Sequence, residues 1–209
     1  MDQFYGREAE LQQLQQWIND RKRLLILWGM GGIGKTSLAI ELVNRINSRY
    51  SQTIWRSLQD APLFTDWATD ILAQLGESPT DNPLSQLVKR LRDKPVLLIL
   101  DNWESILQSG SASGRYRPDY EDYGELLRLV GEVPHQSTLL VTSREVPRQL
   151  LRLKGNPKVQ ALELPGLHAP RCSKTLFQTL TAAPRKIPPS PNSSPTAAAT
   201  PSPSKSSPP

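Results

Sequence analysis

Short, nearly solid apolar runs alternate along the chain with longer stretches in which apolar residues recur every three or four positions. Leu24–Trp28, Val96–Leu100, Thr138–Thr142 and Val159–Leu164 are of the first kind. The unbroken apolar character of Val96–Leu100 suits a strand buried on both faces of a parallel sheet. Thr53–Leu58 is a weaker run of the same type. Between them, Ser37–Ile46, Phe64–Leu75, Pro83–Arg92, Glu125–Val130 and Pro147–Leu153 read as helices. In the second of these Phe64, Trp67, Ala68, Ile71, Leu72 and Leu75 share one helical face, and in the third Leu84, Leu87, Val88 and Leu91 do. Gly76 closes the former, while Pro83 suits a first turn and Pro95 bars extension of the latter. Gly110–Gly124, with three tyrosines and Pro118, reads as a loop. Strands alternating with helices at this spacing predict an α/β domain, a doubly wound sheet between two helical layers.

Beyond residue 167 the pattern stops. Residues 184–209 hold nine of the 19 prolines, filled out by Ser, Thr and Ala, and no Asp or Glu follows Glu163. Such a composition does not bury enough surface to offset its ordering entropy, so residues 1–167 are expected to form the domain and 168–209 a disordered, basic Pro/Ser-rich tail. This changes how the charge is read. The formal net charge of +5 comes wholly from Arg171, Lys174, Arg185, Lys186 and Lys205, because residues 1–164 carry 20 basic and 20 acidic side chains. A nucleic-acid partner is therefore disfavoured for the folded part, despite a pI near 9.5. The lone Cys172 precludes an intrachain disulfide, the first residues lack a signal-peptide pattern, and no apolar run is long enough for a bilayer. A cytoplasmic protein with no membrane partner is the expectation.

The strand-like run Leu24–Trp28 leads into GMGGIGKT, residues 29–36, which fills every position of the phosphate-binding pattern G-x-x-x-x-G-K-S/T. Gly29, Gly31, Gly32 and Gly34 are expected to take φ > 0 and curl backbone N–H groups around a phosphate, with Ile33 and Ser37 completing the binding set. The helix that follows aims its positive dipole end at the same point. Lys35 is expected to reach the β- and γ-phosphates, and the Thr36 hydroxyl to sit on Mg²⁺. A glycine turn without a ligand would explain the glycines but not the Lys-Thr pair.

Two other strand ends carry candidate chemistry. The run VLLILD, residues 96–101, resembles a Walker B segment that delivers Asp101 to the magnesium shell. Asn102 follows it, an amide able to orient a water but unable to accept its proton. Glu104 is the nearest carboxylate, suited either to catalysis or to the start of a helix. The run STLLVTSR ends in Arg144, whose guanidinium at a strand end could grip a γ-phosphate and report whether ATP or ADP is bound. Asp101, Glu104 and Arg144 are the catalytic candidates, and Thr36 and Asp101 the metal candidates.

Taken in order, FYGRE, GMGGIGKT, TIWRSL, VLLILDNWE, STLLVTSR and LELPGL resemble the NB-ARC nucleotide-binding domains of STAND-class P-loop ATPases, most of all bacterial members in which the domain precedes WD-repeat propellers. The resemblance spans residues 4–167. It implies a five-stranded parallel sheet in the order 5-1-4-3-2, binding of ATP or ADP with Mg²⁺, and an ADP-closed to ATP-open switch that drives oligomerisation. By the same resemblance Tyr5, Gly6 and Arg7 contact the adenine side of the nucleotide, and Arg144 is the sensor arginine. Asn102 stands where the family has a second acid, so hydrolysis is expected to be slow at most. After LELPGL the family continues into a helical lid and a winged helix that the tail does not resemble, which reads as a truncation or a shifted reading frame. The alternatives are a non-catalytic nucleotide-loaded interaction module or a truncation product with no role of its own. A small GTPase is set aside for want of an N/T-K-x-D guanine motif, and a DNA-remodelling AAA-type ATPase because the folded part is neutral.

Overall fold

The computed structural model describes residues 6–78, 80–108 and 114–166. Five strands, β1 (Leu24–Trp28), β2 (Gln52–Ser57), β3 (Val96–Asp101), β4 (Thr138–Ser143) and β5 (Val159–Glu163), form one sheet in the order β2-β3-β4-β1-β5. Every pairing is parallel, as the resemblance implied. The three central strands are β3, β4 and β1, and apart from Trp28 all their residues are buried. That is why they read as solid apolar runs. The edge strands β2 and β5 keep exposed or half-exposed positions.

Helices cover both faces. One layer holds α1 (Glu8–Asn19) and α2 (Lys35–Ile46), packed on Leu25, Leu27, Leu97, Ile99 and Leu140. The other holds α3 (Phe64–Gln74), α4 (Pro83–Asp93) and α5 (Glu121–Glu132), packed on the alternate residues Leu24, Ile26, Leu98, Leu100 and Leu139. This alternation is the period of two in a strand, made visible by helices on both sides. A short α6 (Gln149–Arg152) precedes β5.

Two elements depart from the sequence expectation. Helix α1 was not anticipated, although Leu11, Leu14, Trp17 and Ile18 line its buried face. Helix α5 starts four residues earlier than predicted, so Tyr123 and Gly124 belong to it and not to a loop. The reason is packing. A Cβ on Gly124 would stand 2.8 Å from the Tyr116 ring and 2.2 Å from the Gln149 amide, so this glycine admits neighbours and does not mark a turn. Tyr120 and Tyr123 donate hydrogen bonds to the carbonyls of Ala61 (2.6 Å) and Pro62 (3.1 Å), which fixes the first turn of α5. The tail expected to be disordered lies outside the described residues.

Candidate functional site

All five strands point their C-terminal ends the same way, and the predicted chemistry collects at that edge. The connection from β1 to α2 is the glycine loop. Gly29, Gly32 and Gly34 have φ of 147°, 72° and 93°, values strained for residues with a side chain. Gly29 is doubly constrained, since a Cβ there would lie 2.7 Å from the carbonyl oxygen of Leu164. Gly31 corrects the expectation, for it is not among the positive-φ residues. Its lack of a side chain makes room instead: a Cβ would meet the guanidinium carbon of Arg144 at 3.2 Å.

Lys35 begins α2 and is buried, 8% exposed. Its Nζ donates to the carbonyls of Gly29 (2.8 Å) and Met30 (2.9 Å), so the loop curls around the ammonium. Burial pushes its pKa below the ordinary lysine value; Glu104 and Asp101 oppose the shift, and Arg144 adds to it. Thr36 turns the other way. Its hydroxyl donates to Asp101, with Oδ1 at 3.0 Å and Oδ2 at 3.2 Å. Thr142, at the end of β4, donates a second hydroxyl to Oδ1 of the same carboxylate. The ends of β3 and β4 and the start of α2 are thereby joined through one buried acid.

Asn102 occupies the left-handed region at φ 62°, a conformation that Asn tolerates better than most residues. Its backbone N–H donates to Thr142 Oγ1 (3.2 Å), and its amide to Ser57 Oγ (3.1 Å) on β2. The chain then enters a 3-10 turn, Trp103–Ile106, anchored by the fully buried Trp103 and Ile106. Glu104 sits on that turn. One carboxylate oxygen lies 3.0 Å from Nε of Arg144, and the other accepts the Arg144 backbone N–H at 3.1 Å. This pairing was not foreseen, because 40 residues separate the two. Only the parallel neighbours β3 and β4 bring them together.

Residues 31–37 with Asn102, Glu104 and Arg144 line a cleft of about 240 Å³. Of the residues assigned by resemblance to the adenine side, Tyr5 lies outside the described residues. Gly6, at φ 90°, donates its N–H to Glu8 Oε1 (3.1 Å). Arg7 is buried, and its guanidinium donates to the carbonyls of Ile33 (3.0 Å) and Pro165 (2.8 Å) and pairs with Glu10. It braces the loop against the segment leaving β5. A larger cleft, about 430 Å³, lies at the opposite edge of the sheet around Arg21, Lys22, Arg49 and His135, away from the glycine loop, Asp101, Glu104 and Arg144.

The donors present fit a phosphate with Mg²⁺. Among the described residues no group of three or more His, Cys, Asp and Glu converges on a point, so an all-protein metal cage is not what the site offers. A hydroxyl and a single carboxylate, Thr36 and Asp101, are the sparse oxygen set that suits Mg²⁺ held mainly by substrate phosphates. No helix among the described residues is long and apolar enough to cross a membrane.

Comparison with known proteins agrees with this geometry. Residues 3–141 match the family described as AAA ATPase domain. An uncharacterized WD repeat-containing protein of Nostoc sp. is 42% identical over 181 residues, which cover 78% of this chain and 14% of that protein. Disease resistance RPP13-like protein 4 of Arabidopsis thaliana is 28% identical over 116 residues, covering 50% and 14%. The transcription activator GutR of Bacillus subtilis is 23% identical over 180 residues, covering 78% and 20%. The chain thus spans about a seventh to a fifth of these relatives' lengths. Among solved structures, Cdc6p from Pyrobaculum aerophilum superposes with a TM-score of 0.52 at 18% identity, over 78% of this chain and 46% of that one. Drosophila ORC bound to DNA gives 0.54 at 13% identity, over 77% and 43%. At such identities the two structures speak for the fold alone.

Proposed function

Because the chain belongs to the AAA ATPase domain family, we propose that it is the adenine-nucleotide-binding module of a STAND-type signalling switch, with slow Mg²⁺-dependent ATP hydrolysis at most. The observation that carries this is the junction at Asp101. One buried carboxylate is shared by the hydroxyl next to the phosphate-binding lysine and by the end of the strand that bears Arg144. In this reading the loop N–H groups and Lys35 hold the phosphates, Thr36 and Asp101 hold Mg²⁺, and Arg144 reads the γ-phosphate. Mg²⁺ held by Thr36 and Asp101 would supply neutralisation of phosphate charge. The side chain of Asn102 is tied to Ser57 and does not accept a proton, so water activation is weak and turnover slow.

The signalling part rests on likeness to the WD repeat-containing protein of Nostoc sp. and to plant disease resistance proteins. The same reading takes residues 1–167 as the nucleotide-binding domain, ATP or ADP as its ligand and self-association through this domain as its output. Nucleic acid is left out, since the charge of residues 1–164 is balanced. Titration with labelled ATP, ADP and GTP, with and without Mg²⁺, tests it. Adenine nucleotide is expected to bind more tightly than GTP and to gain from Mg²⁺, and equal binding of ATP and GTP would defeat the proposal.

A further inference from the structure

The contact between Glu104 and Arg144 has no place in holding phosphate, yet it is built into the cleft with care. Both oxygens of Glu104 engage Arg144, one at the side-chain Nε (3.0 Å) and one at the backbone N–H (3.1 Å). The Glu104 side chain is 18% exposed while that of Arg144 is 64% exposed. The acid is thus the fixed member and the arginine the movable one. Trp103 and Ile106 on either side of Glu104 are fully buried and pin its turn to the core. A Cβ on Gly31 of the phosphate loop would meet the guanidinium carbon at 3.2 Å, closer than most Cβ contacts. Arg144 is therefore seated between the phosphate loop and a carboxylate that turns one oxygen to its guanidinium and the other to its backbone N–H; the first is the kind of anionic acceptor that a phosphate oxygen also offers.

We infer that Glu104 is a specificity-determining latch: its carboxylate holds Arg144 in place of a γ-phosphate, and ATP, but not ADP, must displace it. This rests on the nucleotide-binding reading above and adds to it the residue that sets the ATP-to-ADP preference. With ADP bound, Arg144 keeps Glu104 as its partner. With ATP bound, the guanidinium exchanges the carboxylate for the γ-phosphate, so the pair is broken at a cost that only ATP meets. Glu104 acts here as a positioning residue through Arg144.

The test is a double-mutant cycle read as the ratio of ATP to ADP affinity. Glu104→Gln keeps an acceptor for the Arg144 backbone N–H but removes the ionic hold on the guanidinium. It is expected to raise the ATP-to-ADP affinity ratio about two- to fivefold, the range for a partly exposed ion pair. Removing a negative charge near phosphates would also raise ATP affinity through space, and the cycle separates the two causes. In an Arg144→Ala background the latch has nothing to hold, so Glu104→Gln is expected to leave the ratio unchanged. The same rise in both backgrounds, or no rise in either, overturns the latch. Thermal midpoints of all four proteins without nucleotide confirm that each is folded, and Glu104→Asp serves as a second variant should Glu104→Gln not fold. The shorter acid releases the Nε contact, so the ratio again rises only where Arg144 is present. Lys35→Ala run in parallel tests the underlying reading: if it leaves ATP affinity unchanged, the phosphate site itself is wrong, whatever Glu104 does.

Discussion

The two edges of the sheet differ in what their polar groups are for. At the N-terminal edge of the strands the cleft is the larger, about 430 Å³ against about 240 Å³, and it gathers Arg21, Lys22, Arg49 and His135. Yet its contacts close the chain on itself: Lys22 caps the Pro157 carbonyl, and Ser137 caps those of Leu91 and Lys94. At the C-terminal edge three glycines stand at positive φ, and charged side chains from three connections converge on one loop. Size of cavity and abundance of cations therefore do not set the C-terminal edge apart. Positive-φ glycines beside a charge contact do.

Lys35→Ala breaks that comparison most forcefully. Loss of a charge-assisted contact to phosphate is expected to weaken ATP binding at least about ten- to hundredfold, whereas Arg49→Ala at the other edge leaves it unchanged. Isothermal titration of both variants settles which edge is functional, and equal losses would erase the distinction. Without ligand Lys35→Ala is expected to stay folded; the substitution removes an ammonium that burial disfavours but also the donor to the Gly29 and Met30 carbonyls. The pH dependence follows from linkage. A lysine whose pKa is lowered on folding carries a penalty at neutral pH that disappears as pH rises through the lowered value toward 10.5. The native chain should gain stability over that alkaline window relative to Lys35→Ala.

Gly29→Ala acts on the cradle itself. The alanine would be held at φ 147° with its Cβ against the Leu164 carbonyl, both backbone constraints with no flexible side chain to yield. A stability loss of about 1–3 kcal/mol or more is expected in chemical denaturation. Gly155→Ala, also at positive φ (86°) but with open space around its Cβ position, is the control and should lose less. Equal losses would mean that the close approach to Leu164 has no weight.

How much of this was legible in the sequence follows the same division. The central strands, the loop, Lys35, Thr36 and Asp101 were readable because each is specified by neighbours in the chain: a solid apolar run, a glycine pattern, an acid at a strand end. Parallel strand order came from the resemblance and not from any residue. What escaped was non-local. Glu104 and Arg144 meet only because β3 and β4 are neighbours; Thr142 reaches Asp101 for the same reason. Gly31 and Gly124 look like turn residues in a sequence, yet both serve close approach of a side chain from a distant element. Helix α1 was missed although its period is visible, since its apolar face has only four residues, Leu11, Leu14, Trp17 and Ile18, set among glutamines on the other positions.

Arg144→Ala sharpens the comparison within the C-terminal edge. It is expected to lower ATP affinity about tenfold while ADP affinity stays within about twofold, since only ATP presents the γ-phosphate. Competition titrations with the two nucleotides give the ratio directly. If both affinities fall together, Arg144 supports the loop through Gly31 and reads nothing.

The smallest effect belongs to the far edge and concerns pH. His135 is partly buried, and its Nε2 lies 2.9 Å from the Val130 carbonyl, so that nitrogen carries the proton and the neutral ring satisfies it. Burial pushes its pKa below the usual 6.5, and Arg23 and Arg92 push the same way; hydrogen bonds to the backbone at Val130 and Ser137 oppose without prevailing. An unfolded His135 therefore takes up its proton at a higher pH than the folded one. Stability is full above pH 6.5 and falls as pH drops from there through the lowered folded value, below which the loss is constant. Carboxylates titrate nearby in pH, so the measurement is a difference: thermal midpoints of native chain and His135→Gln between pH 7 and pH 5. The native chain should lose more over that interval, while ATP affinity in the two proteins is expected to change in parallel, because His135 lies at the opposite edge of the sheet from the glycine loop. Parallel midpoints would mean that the far edge is as indifferent to protons as it is to nucleotide, and divergent affinities would mean that the two edges communicate through β1 and β4.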